Sequence, residues 1–126
     1  MKKRVLLVDD EPRVRASLRT VLEPTYEILE AADAAEGLKS FKHDAPDLVL
    51  LDVCMPTVAG DTLVKLFSKA SPNSGTIILL YSALDEPLLR SKAKGSGAHG
   101  YISKTSDNAA LVRAVRRHLR PGQIEG

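Results

Sequence analysis

The sequence predicts an α/β fold in which a single doubly wound, five-stranded parallel sheet is covered by five helices. Three observations predict it. Short runs rich in Val, Ile and Leu alternate with segments of helical periodicity. The strongest runs are continuously apolar, as in parallel strands buried on both faces. The chain has 126 residues, 44% apolar and 27% charged, enough for one domain with one core and unlike a disordered chain.

The elements follow in order. Arg4–Val8 is the first strand run. Pro12 suits the opening turn of a helix, where its missing N–H costs nothing. Val14, Leu18, Val21 and Leu22 then recur at i, i+4, i+7 and i+8. Tyr26–Glu30 is a weaker strand, followed by a stripe of Ala34, Leu38 and Phe41 with Asp33 near its start. Asp47–Leu51 is the third run, and Leu63, Leu66, Phe67 and Ala70 mark the third helix. Thr76–Leu80 is the fourth run. The segment Asp85–Lys94 has only Leu88, Leu89 and Ala93 to bury, which predicts the most weakly anchored helix. His99–Ile102 is a short fifth strand. Leu111, Val112, Val115 and Leu119 form the last stripe, capped by Ser106 or Asp107. Five such units with right-handed crossovers fit the flavodoxin-like strand order 2-1-3-4-5. The domain is expected to span 1–120, with 121–126 a tail or the start of a linker.

Composition excludes several function classes. Cys54 is the single cysteine, so no intrachain disulfide forms, and a reducing, cytoplasmic setting is expected. No apolar run approaches the roughly 20 residues of a membrane span. The apolar stretch after Met1–Arg4 ends at Asp9, too soon for a signal peptide. A formal charge of +2 gives no basis for direct nucleic-acid binding.

In an open parallel sheet, ligands bind outside the carboxyl ends of the strands. The residues just after the runs are therefore the candidates: Asp9, Asp10 and Glu11, then Asp52 followed by Val-Cys-Met-Pro, then Tyr81 and Ser82, then Ser103 and Lys104. Carboxylates gathered at one edge repel each other, and a hard divalent cation resolves the repulsion. Mg2+ takes oxygen ligands and commonly shares a phosphate oxygen. A lysine and a hydroxyl at that edge complete a cradle for a phosphoryl group. A carboxylate there is placed to attack phosphorus.

LLVDDE (Leu6–Glu11), LVLLDVCMP (Leu48–Pro56), YSA (Tyr81–Ala83) and GYISK (Gly100–Lys104), in this order at strand ends, resemble the receiver domain of bacterial two-component response regulators. The resemblance covers nearly the whole chain. It implies a phosphorylation-dependent signalling switch rather than a turnover enzyme. Asp52 would be the phosphoacceptor. Asp10 and Asp52 would ligate Mg2+ directly, Asp9 through water, and Cys54 through its backbone carbonyl. Lys104 and Ser82 would contact the acyl phosphate, and Tyr101 would turn inward behind the moving Ser82. The implied partners are a sensor histidine kinase or phosphotransfer protein, a downstream effector or fused output domain, and a second copy of the chain after phosphorylation. The family usually carries proline after the lysine, often through a cis peptide. Thr105 stands there, and a cis bond at a non-proline residue costs about 2.5–4 kcal/mol. The Lys104–Thr105 peptide is thus open between trans with an adjusted loop and a retained strained form.

The same residues admit other readings. The same acids suit a Mg2+-dependent phosphohydrolase working through an aspartyl phosphate, but Cys54 leaves no acid two residues after Asp52. A pseudo-receiver or a mononucleotide binder is the third reading, and no Gly-rich phosphate loop follows the first strand. Cys54 is either a redox-sensitive thiol or an inert one, Tyr101 either a switch or a packed aromatic, and Glu11 either a second carboxylate near the metal or a helix-start charge. His43, His99 and His118 lack ligand spacing and read as surface or strand-end residues. Arg113, Arg116, Arg117 and Arg120 line one helix face, either a solvated basic surface or a contact for an acidic partner or a second copy. Neither Cys54 nor Leu84 offers a strong group to orient an attacking water, which predicts a long phosphoryl lifetime.

Overall fold

The fold follows from the burial of the apolar runs. In the computed structural model, which describes residues 2–56, 58–71 and 75–119, the five runs form one parallel sheet ordered β2-β1-β3-β4-β5. The strands are β1 (Arg4–Val8), β2 (Glu27–Ala31), β3 (Leu48–Asp52), β4 (Ile77–Ser82) and β5 (Gly100–Ser103). The helices are α1 (Pro12–Leu22), α2 (Ala34–Asp44), α3 (Gly60–Ala70), α4 (Glu86–Ser96) and α5 (Asn108–His118). β3 is central and buried along its whole length, which is why its sequence is continuously apolar. β2 lies at an edge and buries only Ile28 and Ala31 fully, which is why its signal is weak. The tail at 121–126 and Arg120 lie outside the described residues.

Each sheet face carries its own core. Leu6, Val8, Val49, Leu51, Ile78 and Leu80 face α2, α3 and α4, where Phe41 and Phe67 stack with centroids 4.5 Å apart. Val5, Leu7, Leu48, Leu50, Leu79 and Ile102 face α1 and α5. The helix starts obey local chemistry. Asp33 accepts a hydrogen bond from the Glu36 N–H, while Glu36 accepts one from the Ala32 N–H. Asp107, not Ser106, caps α5 by accepting from the Ala110 N–H. α4 ends at the left-handed Gly97 (φ 87°).

Several residues depart from the sequence reading. Leu66 and Leu88 are 41% and 46% exposed instead of buried, and Ala70 is exposed as well. In α3 the buried stripe runs through Gly60, Leu63, Val64 and Phe67, which turns Leu66 and Ala70 outward. α4 buries Leu89, Ala93 and Ser96, whereas α1, α2 and α5 each bury two residues, so burial does not make α4 the most weakly anchored helix. Tyr26, Asp47, Thr76 and His99 each precede a strand rather than starting it. His99 does take a strand-end place. Its Nδ1 accepts the Ile78 N–H at 3.0 Å while its own N–H donates to the Ile78 carbonyl.

Candidate phosphoryl and metal site

Sheet register delivers the site. Asp9 follows β1 directly, and its N–H donates to the Ala31 carbonyl. Asp52 and Ser82 are the last paired residues of β3 and β4, opposite Tyr81 and Ser103, rather than the first residues beyond them. The ladder continues one step past the apolar runs, so these polar groups sit on rigid strand ends. One residue beyond β5, the Lys104 N–H donates to the Ser82 carbonyl at 2.8 Å. That bond aims Lys104 at the same edge. No peptide bond is cis among the described residues, so Lys104–Thr105 is trans.

The acids converge. Asp9, Asp10 and Asp52 each offer a carboxylate oxygen, and these oxygens lie within 4.8 Å of one another. Asp9 and Asp52 are 2% and 5% exposed, while Asp10 is exposed. Lys104 Nζ donates to Asp9 Oδ2 at 3.1 Å and lies 3.6 Å from Asp52 Oδ2. Asp9 Oδ1 also accepts the Glu11 N–H, and Asp52 Oδ1 accepts the Cys54 N–H. Asp52 therefore keeps Oδ2 free of hydrogen bonds among the described residues, facing a pocket lined by Asp10, Glu11, Cys54, Ser82, Ala83, Leu84 and Lys104.

The electrostatics follow from burial. Desolvation pushes the Asp52 carboxyl above its ordinary value. The Cys54 N–H and Lys104 act against this, and Asp9 and Asp10 add to it. Burial pulls the Lys104 ammonium down, but the Asp9 hydrogen bond and the charges of Asp52, Asp9 and Glu11 outweigh it and hold it above its ordinary value. One lysine facing three carboxylates leaves an excess of two negative charges. An all-oxygen donor set with that excess fits a hard divalent cation.

The remaining candidates fall in different places. Ser82 is buried, and its Oγ accepts the Leu84 N–H at 3.2 Å and lies 3.9 Å from Cys54 Sγ. Cys54 is exposed at the pocket mouth. Tyr101 is not in the pocket: its hydroxyl donates to Glu86 on α4. Arg113, Arg116 and Arg117 are exposed, and none makes an ion pair with the described residues.

Two features escaped sequence reasoning. Tyr81 lies under Lys104, with Nζ 5.5 Å from the ring centre. Gly60 packs on the backbone of Asp52 itself, and a Cβ there would lie 2.3 Å from the Asp52 carbonyl oxygen. The local signal was a glycine in the first helical position, next to an N-cap, Ala59, that has no capping side chain.

The family model described as the response regulator receiver domain matches residues 5–116. The chain belongs to that family. This receiver is 33% identical over 119 residues to the chemotaxis protein CheY of Halobacterium salinarum, covering 91% of this chain and 95% of the relative. A CheY-like receiver domain from Methanospirillum hungatei JF-1 superposes with a TM-score of 0.87 at 28% identity, over 100% of both chains. In the protein-glutamate methylesterase/protein-glutamine glutaminase 1 of Myxococcus xanthus, 34% identical over 132 residues, the match spans 37% of the longer protein. Receivers are signalling modules of two-component regulators and phosphorelays, and some are fused to other domains. The acidic cluster of this receiver is one that could hold a metal ion. Among the described residues, no helix is long and apolar enough to cross a membrane.

Proposed function

We propose that this receiver is a switch thrown by phosphorylation of Asp52. The observation that carries the reading is the convergence of Asp9, Asp10 and Asp52 within 4.8 Å, beside a lysine that touches two of them. Asp52 Oδ2, free of a hydrogen-bond donor, attacks the phosphorus of a phosphohistidine on a sensor kinase or phosphotransfer protein. The P–N bond breaks, and the imidazole leaves. Asp10 and Asp52 would hold Mg2+ directly, the Cys54 carbonyl would add a ligand, and Asp9 would act through water. When bound, the ion would neutralise charge on the transferring phosphoryl oxygens. Both Asp9 oxygens already accept hydrogen bonds, which suits its indirect part. Lys104 and Ser82 then move toward the new phosphoryl group, and Tyr101 follows. The altered face of α4, β5 and α5 signals to an effector or a fused output domain. The exposed Arg113, Arg116 and Arg117 of α5 supply a contact for an acidic partner or a second copy.

Beryllofluoride titration in the presence of Mg2+, followed by NMR and by mass in solution, tests the reading. Shifts are expected at Asp52, Ser82 and Lys104, then across α4 and β5. Shifts absent from these residues at saturating beryllofluoride and Mg2+ would refute it.

The pocket mouth also sets a rate. Cys54 and Leu84 flank the phosphoryl position with a thiol and an alkyl group. Neither orients a water for in-line attack, so the aspartyl phosphate is expected to persist well beyond seconds, and Leu84→Glu is expected to shorten its life severalfold. Decay of the wild-type phosphoprotein within seconds, measured after donor removal, contradicts this.

A further inference from the structure

We infer that Glu86 and Arg90 form a clasp on α4 that holds Tyr101 outside and thereby sets how readily the switch is thrown, an inference that rests on the signalling function proposed above. The Tyr101 hydroxyl donates to Glu86 Oε2 at 2.9 Å and accepts from Arg90 Nε at 3.2 Å. Arg90 and Glu86, one turn apart on the helix, close the triangle with an ion pair at 3.2 Å. The hydroxyl's donor and acceptor roles are thus both satisfied on α4. The ring itself packs against the core between the sheet and α4.

The position of this triangle couples it to the site. Tyr101 pairs with Leu80, and Ser82 lies two residues further along β4. Alternation puts Leu80, Ser82 and Tyr101 on one face of the sheet. Glu86 begins α4 directly after the short loop that follows Ser82. The clasp therefore ties β5 to the first turns of α4. Ser82 and Tyr101 cannot move inward together unless the hydroxyl leaves Glu86 and Arg90.

Both charged side chains are about 60% exposed (60% for Glu86, 63% for Arg90), so the clasp is weak and screened by salt. A weak clasp biases two states without locking either. Releasing it raises the fraction of molecules competent to bind the phosphoryl group, and apparent affinity rises by the same factor. Glu86→Gln, Arg90→Ala and Tyr101→Phe are each expected to tighten beryllofluoride binding, in the presence of Mg2+, about two- to fivefold. Tyr101→Phe combined with Glu86→Gln should tighten no further than Tyr101→Phe alone, because both remove one interaction. Raising the salt should narrow the difference between wild type and variants.

The companion measurement uses the full chain labelled with 3-fluorotyrosine, without Mg2+ or beryllofluoride. The Tyr101 resonance should shift and average in Glu86→Gln and Arg90→Ala, while those of Tyr26 and Tyr81 stay in place. A wild type that binds beryllofluoride alongside variants with unchanged affinity would overturn the clasp. A wild type that never binds overturns the signalling function instead. The tyrosine resonance then decides the clasp alone, and an unshifted signal refutes it.

Discussion

Asp52→Asn is expected to end phosphorylation by acetyl phosphate and, in metal-free buffer, to make the protein more stable than the wild type. The two effects share a cause. Asp52 is 5% exposed and lies within reach of two other carboxylates, so ionising it in the fold is costly. Its folded pKa lies above the ordinary 3.8. The unfolded chain therefore ionises first as pH rises, and stability falls between 3.8 and the raised folded value, staying lower above it. Asparagine keeps the oxygen that accepts the Cys54 N–H and removes the charge. Lys104 retains Asp9 as its partner. The stability difference should vanish below pH 3.8 and grow above it. Mg2+ should reverse the order. At 100 times its Kd, an ion that binds only the folded state adds about 2.7 kcal/mol. Wild type should gain that much, and Asp52→Asn should lose most of it. Thermal melts across pH, with and without Mg2+, read both effects. Equal Mg2+ stabilisation of the two proteins would remove Asp52 from the ion's coordination.

Gly60→Ala should produce the largest loss of stability for a single methyl group. A Cβ at this position would stand 2.3 Å from the Asp52 carbonyl oxygen and 2.7 Å from Val53 Cα. These are backbone atoms at the end of the central strand, so no side-chain rotation relieves the overlap. The same glycine donates its N–H to the Val53 carbonyl at 2.9 Å, closing the loop that carries Cys54. Overpacking of this kind costs about 1–3 kcal/mol, roughly 4–12 °C in Tm for a domain of this size. The displaced backbone should also weaken Mg2+ binding, since Asp52 moves with its carbonyl. Gly95→Ala is the control. It sits inside α4 with nothing within 4 Å of a new Cβ, and should stabilise by about 0.5–1 kcal/mol. A Gly60→Ala protein that melts with the wild type would show that α3 can slide without cost.

Each candidate residue was legible to the extent that its role depended on the strand ends. Asp9, Asp10, Asp52, Ser82 and Lys104 lie next to apolar runs, and a parallel sheet carries every such end to one edge. The trans geometry at Lys104–Thr105 was not legible. The N–H of that peptide, on Thr105, donates to Ser103 Oγ, while the Lys104 N–H donates to the Ser82 carbonyl on the neighbouring strand. Leu66 and Leu88 were misplaced because a helical stripe read from apolar spacing alone does not say which neighbouring helix covers its flank.

By itself, the sequence determined the alternation of strands and helices, the two-faced burial of the sheet and the identity of the acids at its edge. Those features arise from periodicity and from residue chemistry, which act locally. Tertiary structure alone decided that Gly60 packs on the Asp52 backbone, that Asp9 and not Asp52 takes the shorter lysine contact, and that Tyr101 rests on Glu86 and Arg90. Such contacts join residues of different elements across distances of a few ångströms. Only the packing of complete elements against one another sets distances of that kind.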